Sequence, residues 1–156
     1  MEGITGKPGS ETKESCGGPR SPSGPLQCYP IRVCPGQELK STLAQFVRSQ
    51  ALKAAFVLTC VGSVTRAHLR MANSTDTKLY DQGPYEIVSL VGTLSGGASG
   101  HLHTSLSNAE GAVVGGHVMG QMIVHTTAEV VVGNVSQVTF TRQPDPATGY
   151  DELCVD

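Results

Sequence analysis

Three of the five histidines in this 156-residue chain lie in one stretch, GHLHTSLSNAEGAVVGGH, at residues 100–117. His101 and His103 are separated by one residue, and His117 ends the stretch. Imidazole nitrogens bind zinc, copper, iron and nickel, so three of them brought together would suit a metal ion. A three-histidine site also leaves one coordination position for water or another ligand. Such a site requires the chain to fold His117 back onto the other two histidines.

The stretch is typical of two strands joined by a tight turn. HLHTSLS alternates in polarity, which places His101 and His103 on one face of a strand. Asn108 favours the first turn position, and Gly111 can supply a positive φ. The predicted loop is residues 109–111, after which AVVGGH carries β-branched residues suited to a returning strand.

This turn determines which residues face each other. If Asn108 pairs with Ala112, counting back along both strands places His103 opposite His117. His101 then lies one pair further along on the same face. Directly paired residues have Cβ atoms about 4.5–5.5 Å apart, whereas a slip of one residue would send His117 to the other face. The two glycines before His117 let backbone or ligand approach closely.

The pattern therefore predicts a site for a divalent metal, with zinc as the first candidate, on His101, His103 and His117. The alternative is a polar strand face with unliganded histidines. Glu86 stands among aliphatic residues at a strand start, where it could orient a ligand histidine or act as a general base. The alternative, which is favoured over these roles, is that Glu86 is a paired or edge-exposed charge. We expect His68 at a surface or interface and His125 near a strand end.

The segments around this hairpin predict an α+β domain at residues 30–143. Apolar residues recur at helical spacing in QELKSTLAQFVRSQ, namely Leu39, Leu43, Phe46 and Val47. AAFVLTCVG and YEIVSLVGTL have strand length and composition. AEVVVG and VSQVTFTR predict a last hairpin that turns near Gly133 and Asn134. The expected architecture is a mostly antiparallel sheet of about seven strands with one main helix.

Both ends of the chain have the composition of tails. Residues 1–29 are rich in Gly, Pro and Ser without apolar periodicity, which predicts a disordered N-terminal tail. Residues 144–156, PDPATGYDELCVD, hold two prolines, four acids and no base. We expect them to form an acidic C-terminal tail.

Composition limits the compartment and the partners. The formal net charge is -2, which gives no general attraction to nucleic acid or anionic membranes. The five cysteines are odd in number and contain no C-x-x-C, which fits a reducing compartment. The apolar runs are too short to span a bilayer, and the N-terminus has no apolar signal-peptide region. We expect an intracellular protein, cytoplasmic or nuclear, that is not secreted.

The order of several segments resembles the plant and prokaryote conserved (PPC) domain. They are PGQEL, AAFVLTCVGSVTRAHLR, YEIVSLVGTL and GHLHTSLSNAEGAVVGGHVMG, and the resemblance covers about residues 30–142. It implies an antiparallel-rich fold, a homotrimer and, through the H-x-H…GGH pattern, metal binding by His101, His103 and His117. Plant members join this domain to AT-hooks, whose R-G-R-P core is absent from this sequence. Direct DNA binding is therefore not expected.

Three functions remain open from the sequence. The first is a homotrimeric assembly or interaction module, with itself and other proteins as partners, whose metal is structural or regulatory. The second is a metal-dependent enzyme of the zinc hydrolase or hydratase type acting on a small molecule, with Glu86 a better base than Glu110 in the turn. The third, less favoured, is a DNA-associated regulator.

Overall fold

The computed structural model describes residues 22–73 and 75–156. Its elements follow in chain order as eight strands and one helix: β1 Leu26–Val33, α1 Leu39–Ser49, β2 Ala55–Arg70, β3 Thr77–Tyr80, β4 Tyr85–Ser95, β5 Ser99–Ser107, β6 Val113–Val135, β7 Phe140–Asp145 and β8 Tyr150–Val155. This confirms the predicted mostly antiparallel α+β fold with one helix, with eight strands rather than about seven. Most of the N-terminal stretch predicted as a tail, residues 1–21, lies outside the described residues. No helix among the described residues is long and apolar enough to cross a bilayer.

Six strands form one antiparallel sheet in the order β1-β6-β5-β4-β2-β3, and β6 also pairs with β2. Strands β2, β4, β5 and β6 therefore make a closed ring of pairings. The core is aliphatic, as expected from a chain with few aromatic residues. Its largest fully buried side chains come from the helix and from five strands of this sheet: Leu39, Leu43, Leu69, Leu90, Leu94, Leu102, Leu106, Met122, Val33, Val47, Val64 and Val118.

Glu38 begins the helix and attaches it to the sheet. Its carboxylate accepts hydrogen bonds from the backbone nitrogens of Lys40 (3.3 Å) and Ser41 (2.6 Å), which would otherwise lack partners in the first turn. The same carboxylate accepts from the backbone nitrogen of Met122 in β6 at 3.1 Å. The predicted helix period is confirmed, because Leu39, Leu43 and Val47 are buried.

The predicted hairpin at Gly133 and Asn134 is wrong, because β6 runs through both residues to Val135. Asn134 is buried and accepts a hydrogen bond from the backbone nitrogen of Ala54 (3.1 Å), so its polar side chain serves the sheet rather than a turn. A Cβ on Gly133 would lie 2.7 Å from the ring of Phe56. Glycine thus lets the ring of Phe56 pack closely on β6 at this position.

The predicted boundaries of both tails need correction. Strand β1 already begins at Leu26 and pairs with β6. At the other end, β7 and β8 form a two-stranded antiparallel sheet across most of residues 144–156. Gly149 has φ +76° and donates to the carbonyl of Asp145 (2.8 Å), so the proline- and acid-rich segment supplies a turn between two strands rather than a free tail.

Gly92 in β4 is a sensitive point of the fold. It has φ +133°, and a Cβ there would overlap the carbonyl oxygen of His101 on β5. We predict that Gly92→Ala destabilises the protein by roughly 3 kcal/mol, because strain in φ adds to a clash with backbone. Gly96→Ala is the matched control, since Gly96 has φ +56° with open space around it. That change should cost about 1 kcal/mol.

Urea unfolding of the two variants measures this difference directly. Equal losses of stability would show that the close approach of β4 to β5 does not constrain Gly92.

Candidate metal centre

The turn between β5 and β6 is built by Asn108. Its backbone nitrogen donates to the carbonyl of Ala112 (3.0 Å), and its carbonyl accepts from Gly111 (3.0 Å). Its side-chain oxygen accepts from the backbone nitrogens of Glu110 (3.2 Å) and Ala112 (2.8 Å). Gly111 has φ +80°. These contacts confirm the three-residue loop predicted from the sequence.

The predicted register is confirmed pair by pair. Ser107 faces Val113, and the ladder continues until His103 faces His117. A Cβ on Gly115 would lie 2.7 Å from the carbonyl of Thr104, and one on Gly116 would lie 2.6 Å from the carbonyl of Arg70. The two glycines therefore let β6 pass close to both neighbouring strands just before it presents its histidine.

The three predicted ligand histidines come together. Their ring centroids are 5.0 Å apart for His101 and His103, 5.1 Å for His101 and His117, and 5.4 Å for His103 and His117. One nitrogen from each ring lies within 4.8 Å of the others, and the Nε2 atoms of His101 and His103 are 3.0 Å apart. Nitrogens that bind a tetrahedral zinc lie about 3.3 Å apart, so small side-chain rotations would complete such a site.

The environment favours the neutral form of two of these rings. Burial, followed by the positive charge of Arg70, lowers the pKa of His117 from 6.5 to about 4. Burial, followed by the charge of Arg142, also lowers the pKa of His101. A neutral imidazole offers the lone pair that a metal needs. In addition, Nδ1 of His117 is buried and has no hydrogen-bond partner among the described residues. The residues present thus fit a cation.

The cluster lies between two open pockets. The larger has a volume of about 840 Å³ and is lined by the three histidines together with Arg70, Asn73, Ser105 and Tyr150, among others. The smaller, about 320 Å³, is lined by His101 and His103 with Arg142 and Glu152. A metal on the histidines would be reachable by a small molecule from the larger pocket.

The C-terminal hairpin contributes residues to this site that were not predicted from the sequence. Tyr150, Glu152 and Arg142 come from β7 and β8, a region expected to be mostly tail. One local signal could have revealed the hairpin, namely the turn residues DPATG between two segments of strand length. Nothing local indicated that the hairpin would lie beside the histidines.

The other candidate residues lie apart from the cluster. Glu86 faces Ser107, five residues along β4 from Val91, which faces His103, or about 16 Å at roughly 3.3 Å per residue. It is exposed and lines neither pocket described above. His68 pairs with Leu79 of β3. The Nδ1 atom of His125 lies 3.5 Å from Oγ of Ser63.

Comparison with known proteins identifies the family. The model of the Plants and Prokaryotes Conserved (PCC) domain matches residues 20–147. This chain belongs to that family. It is the family that was called the PPC domain in the sequence comparison above. The predicted resemblance is therefore confirmed.

Two curated relatives are similar to this chain over part of their own length. The chain is 44% identical over 135 residues to the bifunctional protein GlmU of a Synechococcus strain, covering 86% of this chain and 21% of that protein. It therefore spans about a fifth of that relative's length. It is 30% identical over 123 residues to AT-hook motif nuclear-localized protein 20 of Arabidopsis thaliana, covering 76% of this chain and 43% of the relative.

Solved structures share the fold. A hypothetical protein from Salmonella superposes with a TM-score of 0.83 at 39% identity, covering 88% of this chain and 98% of that one. A protein from Archaeoglobus fulgidus, described as metal-containing, superposes with a TM-score of 0.68 at 23% identity, covering 86% of this chain and 96% of that one.

Removal of two ligands should abolish metal binding. We predict that the untagged protein, dialysed against zinc, retains about one zinc per chain by elemental analysis. The double variant His103→Ala, His117→Ala should retain none, because one imidazole does not hold the ion against dialysis. The double variant His68→Ala, His125→Ala removes two histidines outside the cluster and should retain the full amount. Loss of zinc from the His68→Ala, His125→Ala variant would contradict the assignment of the metal to the three clustered histidines. Retention of zinc by the His103→Ala, His117→Ala variant would contradict it as well.

Proposed function

We propose that this protein is a self-associating PCC-domain module that holds a divalent metal, with zinc the first candidate, on His101, His103 and His117. The observation that carries the proposal is the convergence of three imidazole nitrogens within 4.8 Å. The proposal is also supported by the Archaeoglobus protein of the same fold, which is described as metal-containing. When bound, zinc would supply a Lewis acid with one open coordination position.

A structural role for the metal follows from where its ligands lie. His101 and His103 belong to β5, and His117 belongs to β6. The two strands are joined by a ladder of only five residue pairs, from Ser107 and Val113 to His103 and His117. A metal at the open end of this short ladder would tie the two strands together and stabilise the folded state. A regulatory role is equally consistent, because metal occupancy would then control the rigidity of the pocket.

Self-association is supported by apolar side chains on the outer face of the sheet. Leu58 and Val61 of β2 and Val88 of β4 are exposed to 42%, 56% and 58%. Beside Val61, a groove of about 450 Å³ runs over β1, β2 and β6 and is lined by Pro30, Ile31 and Val131, among others. Exposed apolar patches of this kind commonly mark protein interfaces. We propose a second and third copy of this chain as the occupants, in a homotrimer.

Light scattering tests the proposed assembly. We predict a trimer for the wild-type protein and a monomer for Leu58→Glu, because the new charge would be buried in the interface. Leu79→Glu is the matched control, since Leu79 is a leucine of the same 42% exposure but lies on strand β3. It should remain trimeric. A wild-type monomer, or a trimer that survives Leu58→Glu, would contradict the proposed interface.

An enzymatic role is the second candidate, and Glu152 is the observation that favours it. A metal-dependent hydrolase or hydratase needs a base near the ion. Glu152 lines the smaller pocket together with His101 and His103. It is therefore better placed for this role than Glu86, which the sequence alone suggested. Direct binding to DNA ranks third, because the formal net charge is -2.

A further inference from the structure

Positive charges outnumber negative charges around the three histidines. Imidazole ligands carry no negative charge, so three of them would leave the full charge of a divalent ion uncompensated. Arg70 lines the larger pocket and Arg142 the smaller one, and both act electrostatically on His101. Against them stands one carboxylate, Glu152, in the smaller pocket. Among the described residues, no carboxylate lines the larger pocket.

We propose that the larger pocket binds a small anionic molecule through a carboxylate or phosphate group. Arg70 and a metal ion on the three histidines would both bind this group. This inference rests on the proposed metal site. It names the class of ligand that the site takes, and it makes Arg70 the residue that recognises the anion. The guanidinium of arginine forms two parallel hydrogen bonds to such oxyanions.

Arg70 is held in place for this role. It is the last residue of β2 and pairs with His117, so its position is fixed relative to a ligand histidine. Its guanidinium carbon lies 5.2 Å from the centre of the Tyr150 ring, which comes from β8. An arginine that stacks on an aromatic ring keeps its N–H groups at the edge of the guanidinium plane, where they remain available to a ligand.

Arg142 provides a second fixed positive charge behind the histidines. It donates from Nη1 to the carbonyl of Asp151 (2.8 Å) and from Nη2 to Oγ1 of Thr93 (3.4 Å). Its Nε is buried without a hydrogen-bond partner among the described residues. Because the groups that accept these hydrogen bonds are neutral, they do not compensate the positive charge of the guanidinium. This charge favours an anion near the metal position.

The size and polarity of the larger pocket agree with a small ligand. About 840 Å³ lies within the range of roughly 300–1,000 Å³ that is usual for small-molecule sites. Asn73, Thr75, Ser89 and Ser105 line it as well, so hydrogen-bonding groups surround the place where the rest of the molecule would lie. The pocket opens to solvent beside the histidines, which lets the anion reach the metal position directly.

Isothermal titration calorimetry at low salt tests the inference with two probes, malonate and inorganic phosphate. Each is titrated into zinc-loaded and metal-free protein. We predict that at least one anion binds the zinc-loaded wild type and that Arg70→Gln weakens this binding at least about tenfold, because a charge-assisted pair is lost. The preferred probe distinguishes a carboxylate source from a phosphate source.

Arg66→Gln is the matched control. Arg66 lies on the same strand, is exposed and does not line the pocket, so the variant loses the same charge and should bind as the wild type does. Circular dichroism and zinc content confirm that Arg70→Gln is folded and loaded. Equal affinities for wild type and Arg70→Gln, or no binding of either anion to loaded protein, would overturn the inference and leave the metal proposal standing.

Failure of the metal proposal is recognised separately. If the wild-type protein holds no zinc, the metal-free titrations decide the role of Arg70. Anion binding that Arg70→Gln abolishes would support the arginine pocket alone. Absence of such binding would overturn it.

Discussion

The pairing of β5 with β6 is the constraint on which the rest of the site depends. Leu102, Leu106 and Val118 are fully buried on one side of these strands, while the three histidines lie on the other. A slip of one residue would bring His117 towards the core and Val118 into water, at a cost of about 2 kcal/mol for the valine alone. The hydrophobic core therefore holds the histidines together, and the Asn108 turn selects the same register locally.

This explains why the cluster of three histidines could be predicted from the sequence. Strand parity, turn chemistry and the position of the glycines are local properties of residues 100–117. The helix was equally accessible, because its period and its N-terminal Glu38 belong to one short segment. The error at Gly133 and Asn134 has the opposite origin. Their roles depend on Phe56 and Ala54, which lie about eighty residues earlier in the chain, and a local turn signal could not reveal those contacts.

The electrostatic surroundings of the site could not be predicted for a similar reason. Arg142, Tyr150 and Glu152 reach the histidines through the β7–β8 hairpin, whose composition resembled a solvated tail. Arg70 was visible as a polar residue of a strand, but its stacking on Tyr150 required knowledge of that hairpin. The sequence thus predicted which three histidines come together, whereas the charges around them come from long-range packing. The proposed metal site therefore follows from a local pattern of residues, whereas the proposed anion follows from long-range contacts.

The most direct measurement of the central claim is the zinc K-edge X-ray absorption spectrum of the zinc-loaded, untagged protein. A site on His101, His103 and His117 predicts three imidazole ligands with Zn–N distances of about 2.0–2.1 Å and one further light-atom ligand. Sulfur scattering at about 2.3 Å, or a spectrum fitted by fewer than three imidazoles, would show that the strand register does not assemble the metal site.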